Sequence, residues 1–202
     1  ADIPFLKVDY KLTNLWRKRW VVDSLIVDHP ILTIKKSQEG KLLLASAPKR
    51  KILLPTGLFD FKVGLLKINT GIFKYVNEDK QSTFDSLNLE LSLSKEGEGI
   101  KANITNGEFT YTQKNFAVKQ LQGFFWLQND SLSVKELKFK TPDSDLEISG
   151  LIQNIESPLF SFTVKAMPVN LTDIKKLTGV GLEGTLKVGG TLKGNFKEFG
   201  GE

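Results

Sequence analysis

The sequence predicts a mainly β protein: an elongated, curled antiparallel sheet of repeated β-hairpins with an apolar concave groove, and one or two short helices. Three observations lead there. Leu87-Asn88-Leu89-Glu90-Leu91-Ser92-Leu93-Ser94 alternates without a fault, putting its leucines on one face of a strand and polar groups on the other. A kinked motif recurs along the chain. Only two segments carry helix signals.

The recurring motif is Val27-Asp28-His29-Pro30-Ile31-Leu32-Thr33-Ile34. It superposes on Ile68-Asn69-Thr70-Gly71-Ile72-Phe73-Lys74-Tyr75 and on Ile104-Thr105-Asn106-Gly107-Glu108-Phe109-Thr110-Tyr111, at spacings of 41 residues (27 to 68) and 36 residues (68 to 104). In each copy the apolar residues flanking the Pro or Gly are five apart: Val27 to Leu32, Ile68 to Phe73, Ile104 to Phe109. An odd step changes face in a regular strand, so a bulge or bend is expected at Pro30, Gly71 and Gly107. A polar turn and a further strand, centred on Leu87 or Leu121, follow the second and third copies. The unit is then a hairpin of about 35 residues with a kinked first strand. Strands twist, and kinks repeated at one level curl such a stack into a trough.

In chain order, residues 1–45 hold an N-terminal helix and the first strands. Leu12, Leu15, Trp16 and Trp20 stand at helical spacings. Segment 46–56, with Pro48, Lys49-Arg50-Lys51 and Pro55, reads as a linker. Residues 57–202 form the hairpin groove, either continuous with the first part or a second sheet. Leu121-Gln122-Gly123-Phe124-Phe125-Trp126-Leu127 puts apolar bulk on both faces, Phe125 and Leu127 on one, Phe124 and Trp126 on the other. It is either buried beneath the helical segments or exposes an apolar groove on one face. Leu146-Ile148, Phe160-Phe162-Val164-Ala166 and Leu186-Val188 alternate as short strands. Asn170 through Gly179 is a short helix, with Asn170 as N-cap, Asp173 in the first turn, Leu171, Ile174 and Leu177 as an apolar stripe and Gly179 as its stop.

Composition narrows the chemistry. The absence of cysteine removes disulfides, thiol nucleophiles and iron–sulfur or cysteine-rich zinc sites. The single His29 leaves one imidazole for any triad or histidine metal site, so neither an enzyme nor a cofactor or metal is expected. With 28 Lys+Arg against 23 Asp+Glu the net charge is +5, and lysines such as Lys135, Lys138 and Lys140 alternate with apolar residues rather than cluster. No nucleic-acid partner is expected. Arg17-Lys18-Arg19 and Lys49-Arg50-Lys51 are solvated surface or contacts to anionic head groups or an acidic partner. No run approaches the about 20 apolar residues of a membrane helix. Because it starts at Ala1 without methionine, the chain reads as a piece of something longer.

Two motifs are set aside. Gly179-Val180-Gly181-Leu182-Glu183-Gly184 spells the dinucleotide fingerprint but follows a helix and leads into a strand, the reverse of the context that binds pyrophosphate, so it reads as a turn. Asp143-Ser144-Asp145 lacks the further oxygen ligands of a calcium loop and reads as a hairpin turn.

Val22-Asp23-Ser24-Leu25-Ile26-Val27-Asp28-His29-Pro30-Ile31-Leu32-Thr33-Ile34, followed by Glu39-Gly40-Lys41-Leu42-Leu43, resembles the AsmA/TamB family, and Leu66 through Tyr75 is similar to that family's "l-x-i-x-x-G-x-i-x-y" unit. Leu146-Glu147-Ile148-Ser149-Gly150 and Leu182 through Gly194 are similar to its recurrent Gly-punctuated strands. The likeness covers nearly the whole chain through short, degenerate motifs whose order carries the signal. It implies a β-taco-like groove and a periplasmic piece of a protein anchored in the inner membrane by an N-terminal helix not in this sequence. It further implies phospholipid or fatty-acid cargo, and a role in lipid transport between membranes or in outer-membrane protein assembly. Family members are commonly far longer, and the family has no catalytic residues to transfer.

The residues expected to line the groove are Phe73, Tyr75, Leu89, Leu91, Phe109, Tyr111, Phe125 and Leu127, with Asn88, Glu90, Ser92 and Ser94 facing water. Each apolar one is ordinary core if the face is sealed. An assembly module that holds client strands at an open sheet edge, partnered with an outer-membrane assembly protein, is the competing reading. A carbohydrate-binding sandwich needs exposed aromatic platforms beside polar groups, whereas Trp16, Trp20 and Trp126 stand mainly among apolar or basic neighbours.

Overall fold

The computed structural model describes residues 5–10, 19–36, 42–44, 60–77, 80–154, 157–195 and 199–201. In chain order its elements are β1 (Phe5–Tyr10), β2 (Arg19–Asp28), β3 (Ile31–Lys36), β4 (Leu42–Leu44), β5 (Asp60–Asn77), β6 (Lys80–Glu96), β7 (Gly99–Tyr111), β8 (Phe116–Val118), β9 (Gln120–Gln128), β10 (Ser131–Lys140), β11 (Asp145–Gln153), β12 (Leu159–Asn170), α1 (Leu171–Thr178), β13 (Thr185–Asn195) and β14 (Phe199–Gly201). All fourteen strands belong to one sheet, ordered β1-β2-β5-β6-β7-β9-β10-β11-β12-β13-β14, with β3 and β4 beside β5 and β8 beside β7. The sheet is curled and unclosed. The expected linker 46–56 and most of the helix around Leu12 to Trp20 lie outside the described residues, but Trp20 itself is in β2, an extended segment.

The pairing departs from the antiparallel expectation in one place. β2 and β3 run parallel to β5, with Val27 opposite Ile68, Asp28 opposite Asn69, Leu32 opposite Phe73 and Ile34 opposite Tyr75. The 41-residue spacing of the first two motif copies is therefore a pairing register. Parallel pairing needs a long crossover, and the 23 residues from 37 to 59 that join β3 to β5 supply one, interrupted by β4. The third copy lies on β7, two strands on from β5, antiparallel to β6 on the side away from β5.

The kinks are real and adjacent. His29, Thr70 and Ser86 take positive φ values of 50°, 52° and 54° on neighbouring strands. The register shifts between Ile68 and Gly71, and again on β6 between Asp85 and Asn88. Hydrogen bonds step across the break: His29 N donates to Asn69 O and Ile72 N to Pro30 O, both at 2.8 Å, so β2, β3 and β5 stay laced together through the bend. Gly71 is required there because a Cβ would stand 2.9 Å from Ile68 Cγ2 and 3.2 Å from Pro30 Cγ. Near Gly107 the shift falls at Thr105, two residues before the expected position, and a Cβ on Gly107 would sit 3.0 Å from Leu121 Cβ.

A single layer leaves little interior. Among the described residues the buried apolar side chains are Phe116, Val118, Val134, Ala166 and Val169. The chain exposes 13941 Å², against about 9,500 Å² expected of a compact monomer of its mass. The buried set gathers mainly where α1 packs on β8 and β12. The helix forms as the local signals dictate: the Asn170 side chain accepts from Thr172 N at 2.9 Å and Gly179 closes it at φ 81°. Asp143-Ser144 is a turn between β10 and β11, and 179–184 is the loop from α1 to β13.

α1 is pinned by one buried carboxylate. Thr141 Oγ1 donates to Asp173 Oδ2 at 2.5 Å and Ser144 Oγ to the same oxygen at 2.7 Å, while Asn170 N donates to Ser144 Oγ at 3.0 Å. Lys176, one turn along the helix, lies 3.6 Å from the other Asp173 oxygen. Asp173→Ala leaves two buried hydroxyls without their acceptor and should lower unfolding free energy by about 1–3 kcal/mol in urea titration. Asp143→Ala, exposed in the same turn, should stay within about 0.5 kcal/mol.

Candidate functional site: an uncovered apolar sheet face

Side chains paired directly across neighbouring strands share a face, so the registers assign every strand residue to one side of the sheet. One row runs Val22, Val63, Leu93, Ala102, Phe125, Val134, Gly150, Phe162 and Leu192 across nine strands. The next runs Val8, Leu25, Leu66, Leu91, Ile104 and Gly123. A third carries Phe73, Phe84, Tyr111 and Phe116. All eight residues expected to line a groove fall on this side: Phe73 and Tyr75 from β5, Leu89 and Leu91 from β6, Phe109 and Tyr111 from β7, Phe125 and Leu127 from β9.

None of the eight is fully buried. Each is half-exposed, because none of the described elements stands over the middle of the sheet. The bulges keep the face consistent: without the positive φ at Thr70 and Ser86, the apolar residues of β5 and β6 beyond the bend would turn to the other side.

Within the face the aromatic residues make a cluster centred on Phe84. Its ring centroid lies 5.0 Å from that of Tyr111 in a stack, 5.6 Å from Phe109 edge-on and 5.7 Å from Phe73. Ser82 and Tyr111 hydroxyls are 3.2 Å apart, giving the phenol a polar partner on an otherwise apolar side. Phe160 and Phe162 stack at 5.9 Å on β12. Phe84 is missing from the sequence-based set, since it is the single apolar residue in Gln81-Ser82-Thr83-Phe84-Asp85-Ser86 and the Ser86 bulge hides its phase relative to Leu87.

The opposite side is polar. Glu90 pairs with Lys67 at 2.7 Å, and Asn88 Nδ2 donates to Glu108 Oε1 at 2.8 Å. Ser92 and Ser94 lie here too, opposite Asn103 and Lys101. Phe124 and Trp126 also project to this side, among Asn103, Lys135, Lys101 and Ser133. α1 packs elsewhere, on β8 and β12, so β9 is not a strand buried beneath the helix.

The β1 edge adds exposed apolar surface. Among the described strands β1 pairs only with β2, and Phe5, Leu6, Val8 and Tyr10 are 52%, 53%, 41% and 60% exposed. Ser24 Oγ donates to Asp9 Oδ2 at 2.7 Å; that bond, with Lys7 beside it, holds the Asp9 carboxyl below its ordinary value. Among the described residues no group of carboxylates and imidazole is placed to hold a metal ion, and no helix is long and apolar enough to cross a membrane.

Comparisons with protein-family models, with curated proteins and with solved structures found no match. The face is therefore read from its own chemistry. It offers wide, half-exposed aliphatic and aromatic surface with few polar handles, which suits nondirectional burial of an apolar partner at about 25 cal/mol per Å². Phe84→Ala, removing the centre of three ring contacts, should cost about 2–4 kcal/mol of stability. Lys74→Ala, on the polar side of the same level, should cost under about 0.5 kcal/mol by the same urea titration.

Proposed function

We propose that the apolar face holds phospholipid or fatty-acid chains, and that the chain is a non-enzymatic part of a cell-envelope lipid conduit. The observation that carries this reading is the apolar face itself, continuous across nine strands, half-exposed, and uncovered by any described element except at α1. Monomeric proteins rarely leave so extended an apolar surface open unless something occupies it. Head-group selectivity should be low, because burial of methylene chains is indifferent to what they carry.

The resemblance to AsmA/TamB proteins fits this reading and supplies its setting: a periplasmic segment of a parent protein anchored in the inner membrane, moving lipid toward the outer membrane. No catalytic group, cofactor or nucleic acid enters that scheme.

Native mass spectrometry with lipid extraction, on protein expressed in a diderm bacterium, should find co-purified phospholipid or fatty acid. Leu91→Glu should abolish the occupancy while the β circular-dichroism spectrum persists, since a half-exposed site lets the carboxylate reach water, and Ser92→Glu on the other face should leave occupancy unchanged. A protein that emerges empty and refuses added lipid would overturn the conduit.

A second reading is favoured by β1 alone: its edge, unpaired among the described strands, and its exposed residues suit a module that holds client strands for outer-membrane assembly. That reading requires that a proline closing the outer edge of β1 abolish client binding and leave lipid occupancy intact.

A further inference from the structure

The β12–β13 hairpin ends in α1 and a loop, residues 171–184, closed at its base where Leu171 N donates to Gly184 O at 2.9 Å. We propose that this tip is a bilayer-docking element, setting Leu177, Val180 and Leu182 into the head-group boundary of an anionic membrane. The contact does not depend on whether the apolar face of the sheet holds lipid.

From Leu177 to Gly189 every residue is exposed, thirteen in succession, and among them are Leu177, Val180, Leu182, Leu186 and Val188. Val180 is 55% exposed, and Met167, in the bulge opposite Lys187, is 64% exposed. Single apolar residues on a surface are ordinary, but so many in one short segment mark a contact surface. A Cβ built at Gly179, Gly181, Gly184 or Gly189 would meet nothing within 4 Å, so the segment stands clear of the rest of the chain.

This exposure is built into the fold. Thr178 Oγ1 donates to Ile174 O at 2.8 Å and accepts from Val180 N at 3.2 Å, and Leu182 N donates to Val180 O at 3.0 Å. Behind them, the bonds from Thr141 and Ser144 to Asp173 fix α1 to the sheet. Polar bonds therefore hold aliphatic side chains out in water, which costs free energy until something covers them.

Charge and shape select the occupant. Of the five ionisable residues in 171–189, Asp173 is buried, which leaves Lys175, Lys176 and Lys187 at the surface with Glu183. Lys176 lies 3.6 Å from Asp173 and Lys175 4.0 Å from Glu183, so the positive sign belongs to the tip as a whole and not to an unpaired lysine. Lysines beside exposed aliphatic side chains fit a bilayer: their stems lie along the acyl boundary and their ammonium groups reach the phosphates. A protein partner would need a pocket shaped to side chains that leave a glycine-punctuated loop in several directions, whereas the acyl boundary is fluid and conforms to them. Leu186 and Val188 share the side of Val169 and Ala166, so a membrane at the tip would meet the end of the apolar face.

Flotation of the full chain with vesicles of phosphatidylethanolamine and phosphatidylglycerol tests the contact. The chain should float, and vesicles of phosphatidylcholine alone should hold it several-fold more weakly. Val180→Ser/Leu182→Ser should weaken binding by about tenfold or more while the circular-dichroism spectrum is unchanged, since both side chains are exposed. Because the chain has no cysteine, Gly181→Cys can carry a single nitrobenzoxadiazole label, whose emission should rise and shift to the blue when vesicles are added. The same label at Glu98→Cys, in the turn between β6 and β7 at the far end of the strands, should not respond. Leu91→Glu should still float, so failure of docking and failure of the lipid reading are separately visible. A chain that stays off the vesicles, equal binding to phosphatidylcholine, a silent label at Gly181→Cys, binding indifferent to Val180→Ser/Leu182→Ser, or a label that responds to protein concentration alone, the sign of a second copy at the tip, would each overturn the proposal.

Discussion

The lateral hydrogen-bond ladder from β1 to β14 is the constraint on which everything else rests. In a layered protein, a sheet is held as much by what covers it as by its own pairing. Here only five described apolar side chains are buried, and α1 covers one end. Stability must come from the ladder and from side-chain pairs along each face, such as the Phe84 cluster on one side and Lys67 with Glu90 on the other. The ladder must therefore survive its own kinks. It does so because His29 and Ile72 bond across the bend to Asn69 and Pro30, and because Gly71 lets the Pro30 ring approach.

The same bends decide what the faces can do. A residue at positive φ in each of three adjacent strands advances the chain by one position without turning its apolar set over. The result is one apolar side across most of the sheet and one polar side with dents where strands bulge. On this curled, unclosed sheet the apolar side offers area and the polar side offers separately placed polar groups. The Asp173 staple to Thr141 and Ser144 closes the arrangement at one end by fixing the helix that shelters Phe116, Val118, Ala166 and Val169.

Much of this was legible in the chain. The Leu87–Ser94 alternation located a half-wet strand, the five-residue step in each motif copy located the bends to within two residues, and the Asn170 and Gly179 caps located α1. The eight groove candidates share one face because period-two alternation is a local steric property. Phe84 escaped because an unforeseen bulge at Ser86 broke the local phase. The alternation put Phe124 and Trp126 on the face opposite Phe125 and Leu127, but their polar surroundings come from Asn103, Lys101 and Lys135 on neighbouring strands.

By itself, then, the sequence determined what is local: which segments extend, where they bend, where the one helix among the described residues caps, and which residues of a strand share a side. The tertiary structure decided what depends on partners far away in the chain. Alternation is identical for parallel and antiparallel neighbours, so it did not reveal that β2 and β3 run parallel to β5 with Val27 against Ile68. Nor did it reveal whether the apolar side is covered, because burial depends on whether another layer exists to pack against it, and in this chain α1 alone, at one end, does so among the described elements.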